Sequence, residues 1–326
     1  MRHVERLFWL ICLAAIGFGL FLPVTGLWLK PYSRYCLMAI LFFTYLKIDW
    51  RDVVHHVRKP LFLAYMAAII LFVLPVGIWA AAQVAVPAFT IGIVILASMP
   101  SGVAGSSLTH VAGGNAALAL VGTTLTTFLA PLTIPLMVRW LGGHALGGEG
   151  TVQLLRQTEW LALVLFTPAV LAWIVRRVLP RFVERQKGRL TGMSIIALGL
   201  LILAIVATNS EPALRLARET PGRAAGLFAF MAFFSVSRHL SAFAWAFWRP
   251  WQDRVGLSIN SAYVNNGLAM TFAAEFFKDV PEAVLPSVLV EITMVLCILP
   301  LKRWARHMAG RRSGDIEKEP DSPQNP

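Results

Sequence analysis

The sequence predicts an all-α polytopic membrane protein of about ten transmembrane helices. Three observations carry that reading. Of 326 residues, 57% are hydrophobic and 14% are charged, whereas soluble domains carry about 25% charged residues. From Pro60 to Val138 there is no Asp, Glu, Lys or Arg, and about 20 apolar residues suffice to cross a bilayer. Two Gly- and Ser- or Asn-rich interruptions also fall at corresponding places in the two halves of the chain.

The first element is the run from Leu7 to Leu29, 23 uncharged residues followed by further apolar stretches. A secretory signal has a single short apolar region and a small-residue cleavage site, so this run reads as a first span. The spans then fall at 7–29, 33–47, 60–82, 86–111, 115–138, 158–177, 190–209, 223–247, 255–275 and 281–301. Cys12, Cys36 and Cys297 lie in apolar segments without CxxC spacing, which indicates neither a disulfide framework nor a zinc site. His55 and His56 stand beside Arg58 in a basic connection, where solvation is the default.

The net charge of +12 resides at span ends and forms no nucleic-acid recognition motif, so nucleic acid is excluded as a partner. With the N-terminus inside, the inner connections hold twenty Lys and Arg, the outer ones eight, and Arg238 lies within a span. The positive-inside rule then puts both termini in the cytoplasm of a bacterial cell, with the chain in its cytoplasmic membrane. Residues 309–326 are polar, charged and Pro-containing, and read as a disordered tail.

The first interruption runs Pro100-Ser101-Gly102-Val103-Ala104-Gly105-Ser106-Ser107. The second runs Asn260-Ser261-Ala262-Tyr263-Val264-Asn265-Asn266-Gly267. Five spans per half is an odd number, so residues 155–308 enter the membrane with the opposite orientation to residues 1–140. This is the inverted-repeat arrangement of secondary transporters, whose broken helices mark the binding site. An unwound segment in lipid frees carbonyls and amides that cost several kcal/mol each, so it must face protein or a wet cavity. The half-helix that follows turns its amides and positive dipole end toward that cavity, which suits an anion.

Pro100 to Thr109, then Gly114-Asn115-Ala116-Ala117-Leu118-Ala119 and Ala130-Pro131-Leu132, resemble the fourth and fifth helices of the bile acid:sodium symporter family. Asn265-Asn266-Gly267-Leu268-Ala269 resembles its ninth-helix signature, usually Asn-Ser-Gly-Leu-Ala. The resemblance extends from residue 5 to about 305. It implies ten helices in a panel domain and a core domain, with the fourth and ninth helices unwound where they cross. It also implies alternating-access transport of organic anions, such as bile acids and smaller carboxylates, commonly coupled to sodium. Neither a cofactor nor an obligate protein partner is implied.

Several positions depart from that pattern. The family's fourth-helix sodium ligands, a Ser-Asn pair, fall on Gly105 and Ser106, and its fifth-helix serine and threonine on Ala119 and Thr123. Its ninth-helix glutamate and glutamine fall on Asn260 and Val264, and a third-helix glutamine on Ile70. An ion in a low-dielectric cavity needs oxygen ligands and a compensating charge. Asn260 supplies an oxygen without charge, so the family's sodium coupling is not expected to carry over. A weaker site made of backbone carbonyls, or proton coupling, stays open. The related arsenite exporters carry a cysteine in the fourth-helix break, and none is present here.

Candidate binding groups are thus Ser106, Thr109, Thr123, Asn260, Asn265 and Asn266, with Pro100, Gly102, Gly105 and Gly267 forming the breaks. Ser and Thr also serve as small contact residues between membrane helices. Arg238 and Glu291 are ionisable groups at membrane depth, and such groups are costly and usually functional. Arg238 is expected to lend a fixed positive charge in place of sodium, with Glu291 as its partner or as a proton carrier. Two other readings compete: an intramembrane hydrolase using Ser106 and His110, and a passive channel.

Overall fold

The apolar stretches fold as helices. The computed structural model describes residues 2–47, 60–102, 105–143 and 150–294. The connection with His55 and His56, Val103, Ala104, Cys297, the end of the tenth span and the tail lie outside the described residues. Helix α1 is Arg2–Phe21 and α2 is Ser33–Tyr45. Helix α3 is Pro60–Ala85. Helix α4 comes in two pieces, Thr90–Ala97 and Gly105–Val111. Then follow α5, Ala116–Gly142, α6, Gly150–Val178, α7, Pro180–Thr208, and α8, Pro221–Trp245. Helix α9 also has two pieces, Trp251–Ala262 and Asn266–Phe276, and α10 covers residues 285–294.

Among the described residues no strand occurs, and five helices, α3 and α5 to α8, are long and apolar enough to cross a membrane. Helix α2, with 13 residues, and the pieces of α4 and α9 are shorter. A short helix, Ser210–Glu219, which the hydropathy pattern does not announce, joins α7 to α8. It carries an Arg215–Glu211 pair on its exposed side. Large apolar side chains such as Leu10, Phe21, Phe128, Trp140 and Leu240 point outward, as a lipid-facing surface requires and a soluble protein avoids.

Two groups of helices result. In the first, α1 packs along α7, and α2 packs on both α6 and α7. Small residues allow the close approach: a Cβ at Gly19 would meet Val206 at 2.8 Å, and one at Gly26 would meet the Leu203 carbonyl at 2.6 Å. Thr44 and Ser194 join α2 to α7 through their hydroxyls at 3.2 Å. In the second group, α8 packs on the first piece of α9, while α5 packs on both pieces of α4 and on α3. Helix α3 holds a π-turn at Ile69–Val73 just before Pro75. Proline lacks an N–H and clashes with the carbonyl four residues back, and the wider turn absorbs both effects. The groups meet where α5 touches α6 and where the second piece of α9 touches α2 and α7.

Candidate functional site

The two breaks lie against each other. Ser101 and Val264 form an isolated antiparallel bridge. Its flanks are closed by the Gly102 N–H donating to the Tyr263 carbonyl at 2.6 Å and the Asn265 N–H donating to the Pro100 carbonyl at 2.8 Å. Each unwound segment thus satisfies the other's backbone, which answers the cost of freeing polar groups away from water. Gly102 permits this approach, since a Cβ there would stand 3.0 Å from the carbonyl oxygens of Tyr263 and Val264. Both breaks differ in extent from the sequence expectation. Asn260 to Ala262 remain helical and so do Gly105 to Ser107, so the non-helical residues are 98–102 and 263–265 within the described chain.

Asn260 stays in the helix, and its side chain makes the bonds. It is fully buried, its Nδ2 donates to the Ala119 carbonyl at 2.8 Å, and its Oδ1 accepts from the Thr123 hydroxyl at 3.3 Å. Gly105 faces the same amide: a Cβ there would lie 2.9 Å from Asn260 Oδ1. A Cβ on Gly122 would lie 2.6 Å from Asn260 Nδ2. The structure therefore brings Gly105, Ala119, Thr123 and Asn260 together, and the Asn260 amide fills the space between them. Thr109 bonds back to the Gly105 carbonyl at 2.7 Å. Val264 is in the bridge, and Ile70 is fully buried in the π-turn of α3. Ser106 is half-buried and His110 is exposed. Among the described residues no hydrogen bond joins those two, so the dyad of the hydrolase reading is not formed.

The second piece of α9 starts with Asn265, whose side chain accepts from the Leu268 N–H at 3.1 Å as an N-cap. Buried Asn266 donates to the Ser287 carbonyl of α10 at 2.8 Å, and the Glu291 carboxyl lies near its side chain. Asn266 Oδ1 and Ser287 Oγ are buried without a hydrogen-bond partner among the described residues. Gly267 comes close to Leu201 of α7 and Leu37 of α2, so this cluster lies where the two helix groups meet. Ser287 was missed in the sequence. Its only signal there is its place one helical turn before Glu291.

A further polar knot was also missed. Asp253 holds Arg249 at 2.5 Å and accepts from Asn115 Nδ2 at 2.9 Å, while Asn115 caps α5 by accepting from the Leu118 N–H at 3.0 Å. The Arg249/Asp253 spacing of four is visible in the sequence; the contact with Asn115 is not. Among the described residues no group of three His, Cys, Asp or Glu could hold a metal ion.

Arg238 is fully buried, and its partners are not those expected from the sequence. Its Nε donates to the Ser261 carbonyl, and its Nη1 donates to the Ala97 carbonyl at 3.0 Å. Among the described residues no carboxylate pairs with it, so Glu291 is not its partner. Helix α8 carries Arg238 to the far ends of the first pieces of α4 and α9, whereas Glu291 lies near Asn266. The guanidinium also stands 5.3 Å over the Phe234 ring, and the Ser261 hydroxyl donates back to the Arg238 carbonyl at 3.0 Å.

An all-helical membrane protein whose two interrupted helices bond each other at their breaks has the construction of a secondary transporter. The description of the SBF-like CPA transporter family matches residues 6–262, and the chain belongs to that family. It is similar to an uncharacterized sodium-dependent transporter, YocS, of Bacillus subtilis (strain 168), at 28% identity over 211 residues, 62% of each chain. It is also similar to a probable chloroplastic sodium/metabolite cotransporter, BASS4, of Arabidopsis thaliana, at 34% identity over 118 residues. That match spans 34% of this chain and 26% of the plant protein. The chain thus covers less than two thirds of the length of either relative.

Proposed function

We propose that this chain is a secondary active transporter of small organic anions, bile-acid-like or smaller carboxylates, working by alternating access in a bacterial cytoplasmic membrane. The observation that carries the reading is the bonded crossing of the two broken helices, set in one helix group beside its boundary with the other. Movement of one group against the other would expose that boundary to each side in turn. The packing supports an arrangement of ten spans in two inverted repeats, residues 1–140 and 155–308: α1 lies on α7 as α2 lies on α6, which is the exchange a two-fold axis between the halves produces. The excess of Lys and Arg on one set of connections supports cytoplasmic termini. Family membership and the names of the two relatives support a small-molecule substrate.

The binding groups on this reading are Asn265, Asn266, Ser106 and Thr109, with Glu291 beside Asn266. Substrate counterflow in proteoliposomes tests it. Saturable exchange of a labelled carboxylate, drawn from a panel of bile salts and small carboxylates, is the expected result. Flux that neither saturates nor shows counterflow for any of them would refute carrier transport.

A further inference from the structure

Arg238 is a full positive charge with no carboxylate to balance it among the described residues. A lone buried ion is very costly, so the balance must come from elsewhere, and its two hydrogen bonds show where. Ala97 is the last residue of the first piece of α4, and Ser261 is the next-to-last of the first piece of α9. The last four carbonyls of a helix have no partner within it. The C-terminal end of each helix carries the equivalent of about half a negative charge. Two such ends meeting at the crossing sum to roughly one, and one guanidinium cancels it.

We propose that Arg238 is a resident cation, occupying the carbonyl-lined place between the two half-helix ends where a mobile monovalent cation would otherwise be held. A tethered guanidinium is always charged, so these two C-terminal ends are neutralised in every step of a cycle and need no cation from solution. The neighbouring position is closed in the same sense: the neutral Asn260 amide fills the space between Gly105, Ala119 and Thr123. Both features predict that sodium has no site at the crossing, in contrast to what the names of the two relatives state for those proteins. The inference rests on the transport reading only for its consequence, sodium-independent flux. The occupancy itself is a statement about binding.

Thermal unfolding of the full chain in lipid nanodiscs tests it without any substrate, so its failure is distinguishable from failure to find a transported anion. Sodium chloride is titrated against choline chloride at constant ionic strength, which removes general screening. The midpoint of the natural protein and of Arg238→Lys is expected to stay within about 1 °C between the two salts. Arg238→Ala is expected to unfold earlier and to regain about 3 °C or more with sodium or low-millimolar guanidinium, as binding to the folded state alone requires. A saturable sodium-specific rise in the natural protein would overturn the proposal. So would a folded Arg238→Ala protein that responds to sodium and guanidinium no more than to choline. If Arg238→Ala does not fold, the sodium titrations of the natural protein and of Arg238→Lys decide alone.

Discussion

Gly105 and Asn260 offer a direct test of how tightly the crossing is packed. In Gly105→Ala the new Cβ would lie 2.9 Å from Asn260 Oδ1 and 3.9 Å from Thr123 Oγ1. The first distance is too short for a real contact, and the atom that must give way is the end of a side chain. Asn260 therefore rotates and surrenders the bond from Thr123 at 3.3 Å, and with it the alignment of its own bond to the Ala119 carbonyl at 2.8 Å. Leaving such buried groups unsatisfied costs about 1–3 kcal/mol. Replacing a helical glycine by alanine returns up to about 1 kcal/mol, which would mask part of the loss in a single variant. A double-mutant cycle removes that ambiguity, because the backbone gain is common to both backgrounds. In Asn260→Ala the obstacle is gone, so Gly105→Ala is expected to be neutral or stabilising there. The coupling is expected to be about 1–2 kcal/mol. Read as unfolding midpoints in nanodiscs, the change caused by Gly105→Ala should differ between backgrounds by about 2–3 °C. Equal changes in both would show that the Asn260 amide does not fill this space, and the argument built on it would fall.

Four further outcomes follow from the contacts. Ser101→Cys with Val264→Cys, in a background without the three native cysteines, should form an intramolecular disulfide under mild oxidation. Residues opposed without mutual hydrogen bonds in an antiparallel pair stand about 4.5 Å apart at Cα, within disulfide range; absence of the cross-link would contradict the crossing. Gly92→Ala should cost more than Gly105→Ala, because its Cβ would meet the backbone oxygens of Ala283 and Glu282 at 2.6 and 2.8 Å and neither can rotate aside; overpacking of this kind costs about 1–3 kcal/mol, measurable as a lower unfolding midpoint. Asp253→Ala should destabilise more than Arg249→Ala, since only the former removes the partner of Asn115 as well; the reverse order in thermal unfolding would refute that account. Glu291→Gln should alter substrate affinity or the pH dependence of uptake in proteoliposomes, and unchanged values of both would separate Glu291 from transport.

What the sequence determined by itself was whatever depends on composition and local spacing. Apolar runs specify helices in lipid because backbone groups there must bond within their own segment, so most spans were legible without knowing any neighbour. That the helices break within Pro100 to Ser107 and Asn260 to Gly267 was legible because Gly, Pro, Ser and Asn lower helix propensity locally, whereas the tertiary structure set the narrower extent of each break. Arg238 and Glu291 stood out because charge at membrane depth is rare. The tertiary structure decided what each of these touches. Arg238 was expected to find a carboxylate, since side-chain charges are what a sequence displays; it found the carbonyls of Ala97 and Ser261. Every residue has a carbonyl, so that choice leaves no mark in the sequence. Asn260 likewise looked like a weakened ion ligand, and its amide is consumed by Ala119 and Thr123 of α5 more than a hundred positions away. Helix C-termini and backbone acceptors gain their direction only when helices are placed against one another, and for that reason the electrostatics of the crossing belongs to the fold.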